Sequence, residues 1–388
     1  MEFQFASRMD QFQAGIFSVL DQKRREVEAS GRKVYNLSIG TPDFQPAPHV
    51  MQALCDAARD PENYKYALTE LPELLEAVQN WYRTCYGVEL EKDQIMSVYG
   101  SQEGLTHIGL ALCDPGDVVL VPNPGYPIFE MGPMLCGAQI AYYELRPENG
   151  YLPDLDAIDP ELARKAKMMV VSYPANPVCV AAPRSFYDKL IAFAKKYNII
   201  IIHDNAYSKI IFDDHESMSF LSVPGAMEVG VEYNSLSKTY NLTGSRISFV
   251  LGNREIIQKY KTLRSQIDYG IFLPVQKAAI AALNGPQEGV EEQRLAYQAR
   301  RDALCGGFRS IGWNVPDSQG SMFVWAPIPE GYATSAEFCF DLLEKTGVLC
   351  TPGSAFGTLG EGHVRFALTK TPEEIAEIIQ VVKTADMF

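Results

Sequence analysis

Four short runs rich in β-branched residues, Val118 to Val121, Met168 to Ser172, Ile199 to Ile202 and Ile247 to Leu251, mark the middle of the chain. Each is bounded by turn formers and reads as a buried strand. Between such runs lie helical patterns, as in Ser185 to Tyr197, where Phe186, Leu190, Phe193 and Ala194 recur at helical spacing. Strands that alternate with helices specify an α/β fold, with a mostly parallel central sheet flanked by helices.

The pattern changes near Gly285 to Glu291, a stretch of Gly, Pro and acidic residues that predicts a boundary. Beyond it come a helical pattern over Glu292 to Arg309, strand patterns at Met322 to Trp325 and His363 to Leu368, and a closing helix over Pro372 to Ala385. These predict a smaller α+β domain. The 388 residues therefore divide into an N-terminal segment 1–45 packed with the small domain, a large domain 46–284 and a small C-terminal domain 285–388, without internal repeats.

Composition removes several functions. The formal charge of −14 repels a phosphate backbone, and no Lys/Arg run reverses that field, which argues against nucleic acid as a partner. No apolar stretch approaches the length of a membrane span, and MEFQFASRMD lacks the apolar core of a signal peptide, so the expected location is cytoplasmic. The eight cysteines have no CxxC pair and no clustered histidines, so neither disulfides nor a metal site are expected.

Ligands of open α/β sheets gather beyond the carboxyl ends of the strands, and four segments place polar residues after apolar runs. Tyr99-Gly100-Ser101-Gln102-Glu103-Gly104 leads into a helical stretch, where backbone N–H groups and a Ser hydroxyl suit a phosphate, or where the Ser is a simple N-cap. Asp204 follows the run Ile199 to Ile202 and precedes Tyr207; it suits a cationic heterocyclic nitrogen, or caps the next helix. His203 falls on the opposite face of that strand. Lys238, among Ser235, Ser237 and Thr239 with Arg246 eight positions on, supplies an amine nucleophile near a phosphate clamp, or is a solvated surface group. Arg365 lies inside the apolar strand His363 to Leu368, where its fork suits a carboxylate or a structural ion pair.

Through Ser235-Leu236-Ser237-Lys238-Thr239-Tyr240-Asn241-Leu242-Thr243-Gly244-Ser245-Arg246 the chain resembles the class I and II aminotransferases of pyridoxal-phosphate fold type I. The likeness is co-linear from Ile39-Gly40-Thr41-Pro42-Asp43 to Arg365. It implies that Lys238 holds pyridoxal 5′-phosphate as a Schiff base and shuttles the proton, that Asp204 keeps the pyridine nitrogen protonated, and that Tyr207 and Asn176 bond its phenolic oxygen. It further implies that Tyr126 stacks on the ring, that Ser101, Gln102, Ser235 and Arg246 receive the phosphate, and that Arg365 grips the substrate α-carboxylate beneath the backbone near Gly40. Tyr66 matches a residue that reaches the phosphate from a second subunit, which implies a homodimer.

Two positions depart from the common family pattern: Cys179 closes Asn176-Pro177-Val178-Cys179 where the family usually has glycine, and Ser245 stands where a large aromatic is frequent. Gly100 to Gly104, Pro224-Gly225-Ala226 and Asp268-Tyr269-Gly270 resemble the bacterial glutamate–pyruvate and LL-diaminopimelate branch, with aspartate aminotransferases next. The resemblance predicts amino-group transfer between an L-amino acid and a 2-oxo acid, with glutamate and 2-oxoglutarate as one pair and alanine, aspartate or LL-diaminopimelate in the other. A C–S lyase of the same fold and an aminotransferase-like ligand-sensing domain are the alternatives. A lyase would release ammonia without an amino acceptor, and a sensor would carry a fused DNA-binding module.

Overall fold

A computed structural model describes residues 2–12 and 16–388. Its strands, in chain order, are β1 (Tyr35–Asn36), β2 (Ile95–Val98), β3 (Val118–Asn123), β4 (Gln139–Glu144), β5 (Ala166–Ser172), β6 (Ile200–Asp204), β7 (Gly230–Ser235), β8 (Ser248–Gly252), β9 (Phe323–Pro327), β10 (Val348–Leu349), β11 (Thr351–Pro352) and β12 (His363–Ala367). Seven of them form the central sheet in the order β2-β8-β7-β6-β5-β3-β4. The four β-branched runs all lie in this sheet. Its middle strands are apolar on both faces because helices cover both, and Val119, Leu120, Val121, Ile201 and Ile202 are inaccessible to solvent. Burying each such side chain contributes roughly 1.5–3 kcal/mol.

The pairs β4-β3, β3-β5, β5-β6 and β6-β7 are parallel, whereas β8 runs antiparallel to both β7 and β2. The cause lies between β7 and β8. A parallel neighbour needs a crossover to the far end of the sheet, but the chain from Leu236 to Ile247 stays at one edge and turns straight back. This return keeps Lys238 and Arg246 at the same edge. The order reverses around β3, which has β4 on one side and β5 on the other, and a crevice opens at the carboxyl ends of the strands at this switch point.

The C-terminal part holds a three-stranded antiparallel sheet, β11-β12-β9. Helix Glu288–Ser310 starts within the stretch expected to separate the two parts, so the break is confined to the residues just after Asn284. Early termination there follows from the good helix formers of Glu288 to Glu292, which outweigh the single Gly289. At the other end of the chain, β1 pairs in parallel with β10, and Leu20 and Val27 of helix Ile16–Ala29 pack on Leu343 and Leu349. Residues 38–45 then run back towards the crevice.

Candidate active site

A cavity of about 310 Å³ lies in the crevice, and the strand ends supply its walls. Tyr126 follows β3, Asn176 follows β5, Asp204 ends β6 with Tyr207 beyond it, and Ser235 and Lys238 end and follow β7. Ser101 and Gln102 begin the helix after β2, Arg246 enters β8, and Arg365 reaches in from β12. Gly40 and Thr41 complete the lining from the N-terminal segment. Every expected site residue except Tyr66 therefore lines one cavity. Tyr66 lies on the outer surface, 79 % exposed, with its ring 4.7 Å from that of Tyr269.

At one end is an anion seat. Gly100, with φ 87° and ψ 152°, starts helix Ser101–Leu112, so the free N–H groups of that helix face the cavity. The glycine is required twice over. Its backbone conformation is essentially closed to other residues, and a Cβ there would stand 2.1 Å from Arg246 Nη2. Arg246 is anchored by donating to the Thr243 carbonyl at 2.8 Å and the Tyr99 carbonyl at 3.3 Å. Ser101 Oγ is buried without a partner among the described residues. Ser235 is already engaged as an acceptor, from the Ser237 N–H at 3.1 Å and the Ser248 hydroxyl at 2.8 Å, which leaves its own O–H to donate.

In the middle stands Asp204, 7 % exposed, its Oδ1 without a partner among the described residues. Burial pushes its carboxyl up to about 6, against the opposing pull of His203 and the Ala206 N–H. An acid so placed is still mostly ionised at neutral pH, and a cationic partner in the cavity would offset its burial and hold it charged. His203 takes the other face, as expected, and bonds Glu232 at 3.0 Å and Tyr187 at 3.1 Å.

Burial, reinforced by the charges of Arg365 and Arg246, lowers the Lys238 ammonium to about 8. Its Nζ donates to the Gly40 carbonyl at 2.6 Å, a contact spanning 198 positions of sequence. An amine in this state is neutral in roughly a tenth of molecules at pH 7, far more often than an ordinary lysine, and the neutral form is a competent nucleophile and base.

Arg365 is 4 % exposed and sits between Phe323 and Phe356, with its Cζ 4.0 and 4.6 Å from their ring centroids. Nη1 donates to Asn176 Oδ1 at 2.8 Å and Nη2 to the Ser38 carbonyl at 3.1 Å, while Nε is unpartnered among the described residues. Among the described residues no carboxylate pairs with it, so the structural ion pair is not found there and the guanidinium is left for an anionic ligand. Asn176, by accepting from Arg365, turns its amide N–H₂ free to donate elsewhere.

These orphaned groups suit pyridoxal phosphate: an anion seat for its phosphate, a carboxylate for a cationic ring nitrogen and a buried amine for its aldehyde. Thr41, Leu105, Ile128, Ala206, Ser237, Thr243 and Phe323 also line the cavity and were not expected from the sequence. Apolar residues such as Leu105 and Phe323 carry no signal that separates a pocket wall from ordinary core.

The structure also explains Cys179. It takes φ 59°, the left-handed region that favours glycine, and its Sγ turns back to the Pro177 carbonyl at 2.9 Å. Burial raises its thiol to about 11, which removes it from nucleophilic chemistry.

Comparison with known proteins agrees with this geometry. The family model for aminotransferase class I and II matches residues 32–382. The LL-diaminopimelate aminotransferase of Moorella thermoacetica is 43 % identical over 97 % of this chain and 97 % of its own. Among solved structures, substrate-bound BacF from Bacillus subtilis superposes with a TM-score of 0.94 at 36 % identity, covering 99 % of this chain and 98 % of that one. A probable N-succinyldiaminopimelate aminotransferase from Thermus thermophilus gives 0.90 at 32 %, covering 95 % and 100 %. The chain belongs to the class I and II aminotransferases, pyridoxal-phosphate-dependent enzymes of fold type I that transfer amino groups.

Proposed function

We propose that this aminotransferase exchanges an amino group between LL-diaminopimelate and 2-oxoglutarate, acting as a homodimer in the cytoplasm. The convergence of Lys238, the unpartnered Asp204 Oδ1 and the unpaired Arg365 guanidinium in one cavity carries the reaction class. The naming of the Moorella thermoacetica relative supports the substrate. Alanine and aspartate are the competing donors.

When bound, pyridoxal phosphate supplies the electron sink that stabilises negative charge at the substrate α-carbon. Asp204 holds a proton-bearing ring nitrogen by charge. Tyr207 and the Asn176 amide donate to the phenolic oxygen, and Tyr126 presents its ring to the cofactor face. Ser101, Gln102, Ser235, Arg246 and the helix start at Ser101 receive the phosphate, so the group is held at the end remote from the chemistry. Arg365 fixes the α-carboxylate with a planar fork, which orients the bond to the α-hydrogen. Lys238, as a neutral amine, would take the proton from that carbon and deliver it to the cofactor carbon that bears the amino nitrogen, which frees the amine again within the same half of the exchange. Gly40 and its neighbours exclude water from above.

The homodimer is supported by an exposed apolar face that contains Tyr64, Tyr66, Leu68, Tyr269 and Phe272. From that face Tyr66 is offered to the phosphate of the second subunit. Residues 46–284 then serve as the cofactor-binding unit, with 285–388 and the N-terminal 1–45 as the smaller one. The eight unpaired thiols support a reducing compartment.

The test incubates the cofactor-loaded enzyme with 2-oxoglutarate and LL-diaminopimelate, alanine or aspartate, and measures glutamate. LL-diaminopimelate is expected to give the highest kcat/KM. Glutamate formed from alanine or aspartate alone would overturn the substrate, and ammonia released without an acceptor would indicate elimination instead.

A further inference from the structure

A group of side chains behind the anion seat connects it to the exposed aromatic face, and the catalytic roles above make no use of it. Tyr99 is its centre. The Tyr99 N–H donates to Glu103 Oε2 at 3.0 Å and its carbonyl accepts from Arg246 Nη2 at 3.3 Å, so its peptide groups belong to the turn that presents Ser101 and Gln102. Its hydroxyl leaves the turn altogether. It reaches the backbone oxygens of Tyr269 and Gly270, each at 3.0 Å.

Arg264 holds this tyrosine in place. The guanidinium is buried, lies 5.4 Å from the Tyr99 ring centroid, and contacts Asp268 Oδ1 through Nε at 2.9 Å and Nη2 at 2.7 Å. Its Nη1 donates to the Ser97 carbonyl at 3.3 Å and stands 3.7 Å from Glu103 Oε2. A buried arginine that engages two acids and a backbone carbonyl is costly to disturb, so the segment carrying Tyr269 and Gly270 is fixed relative to the turn.

From there the contact runs outward. The Gly270 N–H donates to the Ala67 carbonyl at 2.7 Å, an approach that only glycine allows, since a Cβ would meet that oxygen at 2.3 Å. Ala67 adjoins Tyr66. Arg246, Tyr99, Gly270, Ala67 and Tyr66 thus form a continuous path from the anion seat to the exposed face.

We propose that Tyr99, braced by Arg264, is a positioning residue that couples the phosphate seat to the assembly face, so that a phosphate-bearing ligand and a second copy of the chain each bind more tightly when the other is present. The inference rests on the reading that Ser101, Gln102 and Arg246 receive phosphate and that the Tyr66 face meets a second subunit. Coupling of this kind is reciprocal by thermodynamic necessity, so either ligand can report it.

Tyr99→Phe keeps the ring beneath Arg264 and removes only the hydroxyl. Absorbance titrations of the cofactor-free protein with pyridoxal 5′-phosphate and with pyridoxal separate positioning from general damage, because only the first ligand uses the seat. The phosphate ester is expected to bind roughly five- to tenfold more weakly, the effect of one net hydrogen bond, with pyridoxal unchanged. Equal weakening of both ligands, or of neither, overturns the proposal. In sedimentation velocity, inorganic phosphate is expected to shift the wild-type apo protein towards the dimer and to shift Tyr99→Phe less, since in the variant only the direct Tyr66 contact would still link the two; equal shifts in the two proteins overturn it. Arg246→Gln distinguishes the failures. If it keeps the preference for the phosphate ester, the seat itself is wrongly placed; if it loses that preference while Tyr99→Phe keeps it, the coupling alone is refuted. Should circular dichroism show Tyr99→Phe unfolded, Asp268→Asn, which loosens Arg264 from the outer side, takes its place in the same comparison.

Discussion

Substituting Gly100 by alanine should cost the protein its cofactor affinity more than its fold. Two penalties follow from the structure and fall on different observables. The backbone at φ 87° and ψ 152° lies where a side chain costs about 1–3 kcal/mol, and this appears as lost stability. The new Cβ would meet Arg246 Nη2 at 2.1 Å and Cζ at 2.7 Å, so the guanidinium must swing away from the seat. A charged hydrogen bond to phosphate is worth about 1.5–3 kcal/mol, which weakens pyridoxal phosphate binding roughly ten- to a hundredfold. Gly31→Ala is the control, because Gly31 has nearly the same φ, 86°, with nothing within 4 Å of its Cβ position. It should lower the melting temperature and leave affinity alone. Cofactor titration and thermal melts on the three proteins make the test, and a Gly100→Ala protein that binds pyridoxal phosphate as tightly as wild type would refute the account of the seat.

Three further outcomes are expected. Arg365→Lys replaces a bidentate fork by a point charge and should lower kcat/KM by about ten- to a hundredfold with unchanged cofactor affinity, read by steady-state kinetics and cofactor titration; unaltered kinetics would remove Arg365 from the carboxylate site. Because burial lowers Lys238 to about 8, its neutral fraction grows as pH rises through that value, so labelling of Lys238 in the apo protein by an amine-reactive reagent, followed by peptide mass spectrometry, should rise with a midpoint near 8; a midpoint at the ordinary lysine value of about 10.4 would contradict it. Cys179→Gly relieves the left-handed backbone but deletes a buried side chain, two effects of about 1 kcal/mol each that nearly cancel, so activity and melting temperature should change little; loss of turnover with cofactor still bound would assign the thiol a direct role.

Much of this protein is written locally in its sequence. The β-branched runs became β3, β5, β6 and β8 within one or two residues of their expected ends, because a strand buried on both faces needs no partner information to be recognised. The site segment at Asp204 was legible for a similar reason: a polar residue directly after such a run is delivered to the carboxyl edge of the sheet. Asn176 was implied only by the family resemblance, and Lys238 follows β7, which the β-branched runs did not include, yet both line the same cavity. Local conformation also accounts for the departure at Cys179, a left-handed turn position that glycine fills more easily.

Other features required the folded chain. The antiparallel course of β8 depends on how the Lys238 to Arg246 connection returns along the sheet edge, which periodicity does not encode. The contact of Lys238 with Gly40 and those of Arg365 with Asn176 and Ser38 join residues roughly two hundred or more positions apart, and their hydrogen bonds exist only once register and packing bring the partners within 3 Å or so. Tyr99 is the clearest case. In the sequence it is one aromatic residue before a glycine, indistinguishable from core; only the tertiary arrangement, which sets Tyr269, Gly270 and Arg264 against it, ties the anion seat to the outer face, because a side chain's partners are fixed by three-dimensional proximity while its sequence neighbours fix only its backbone.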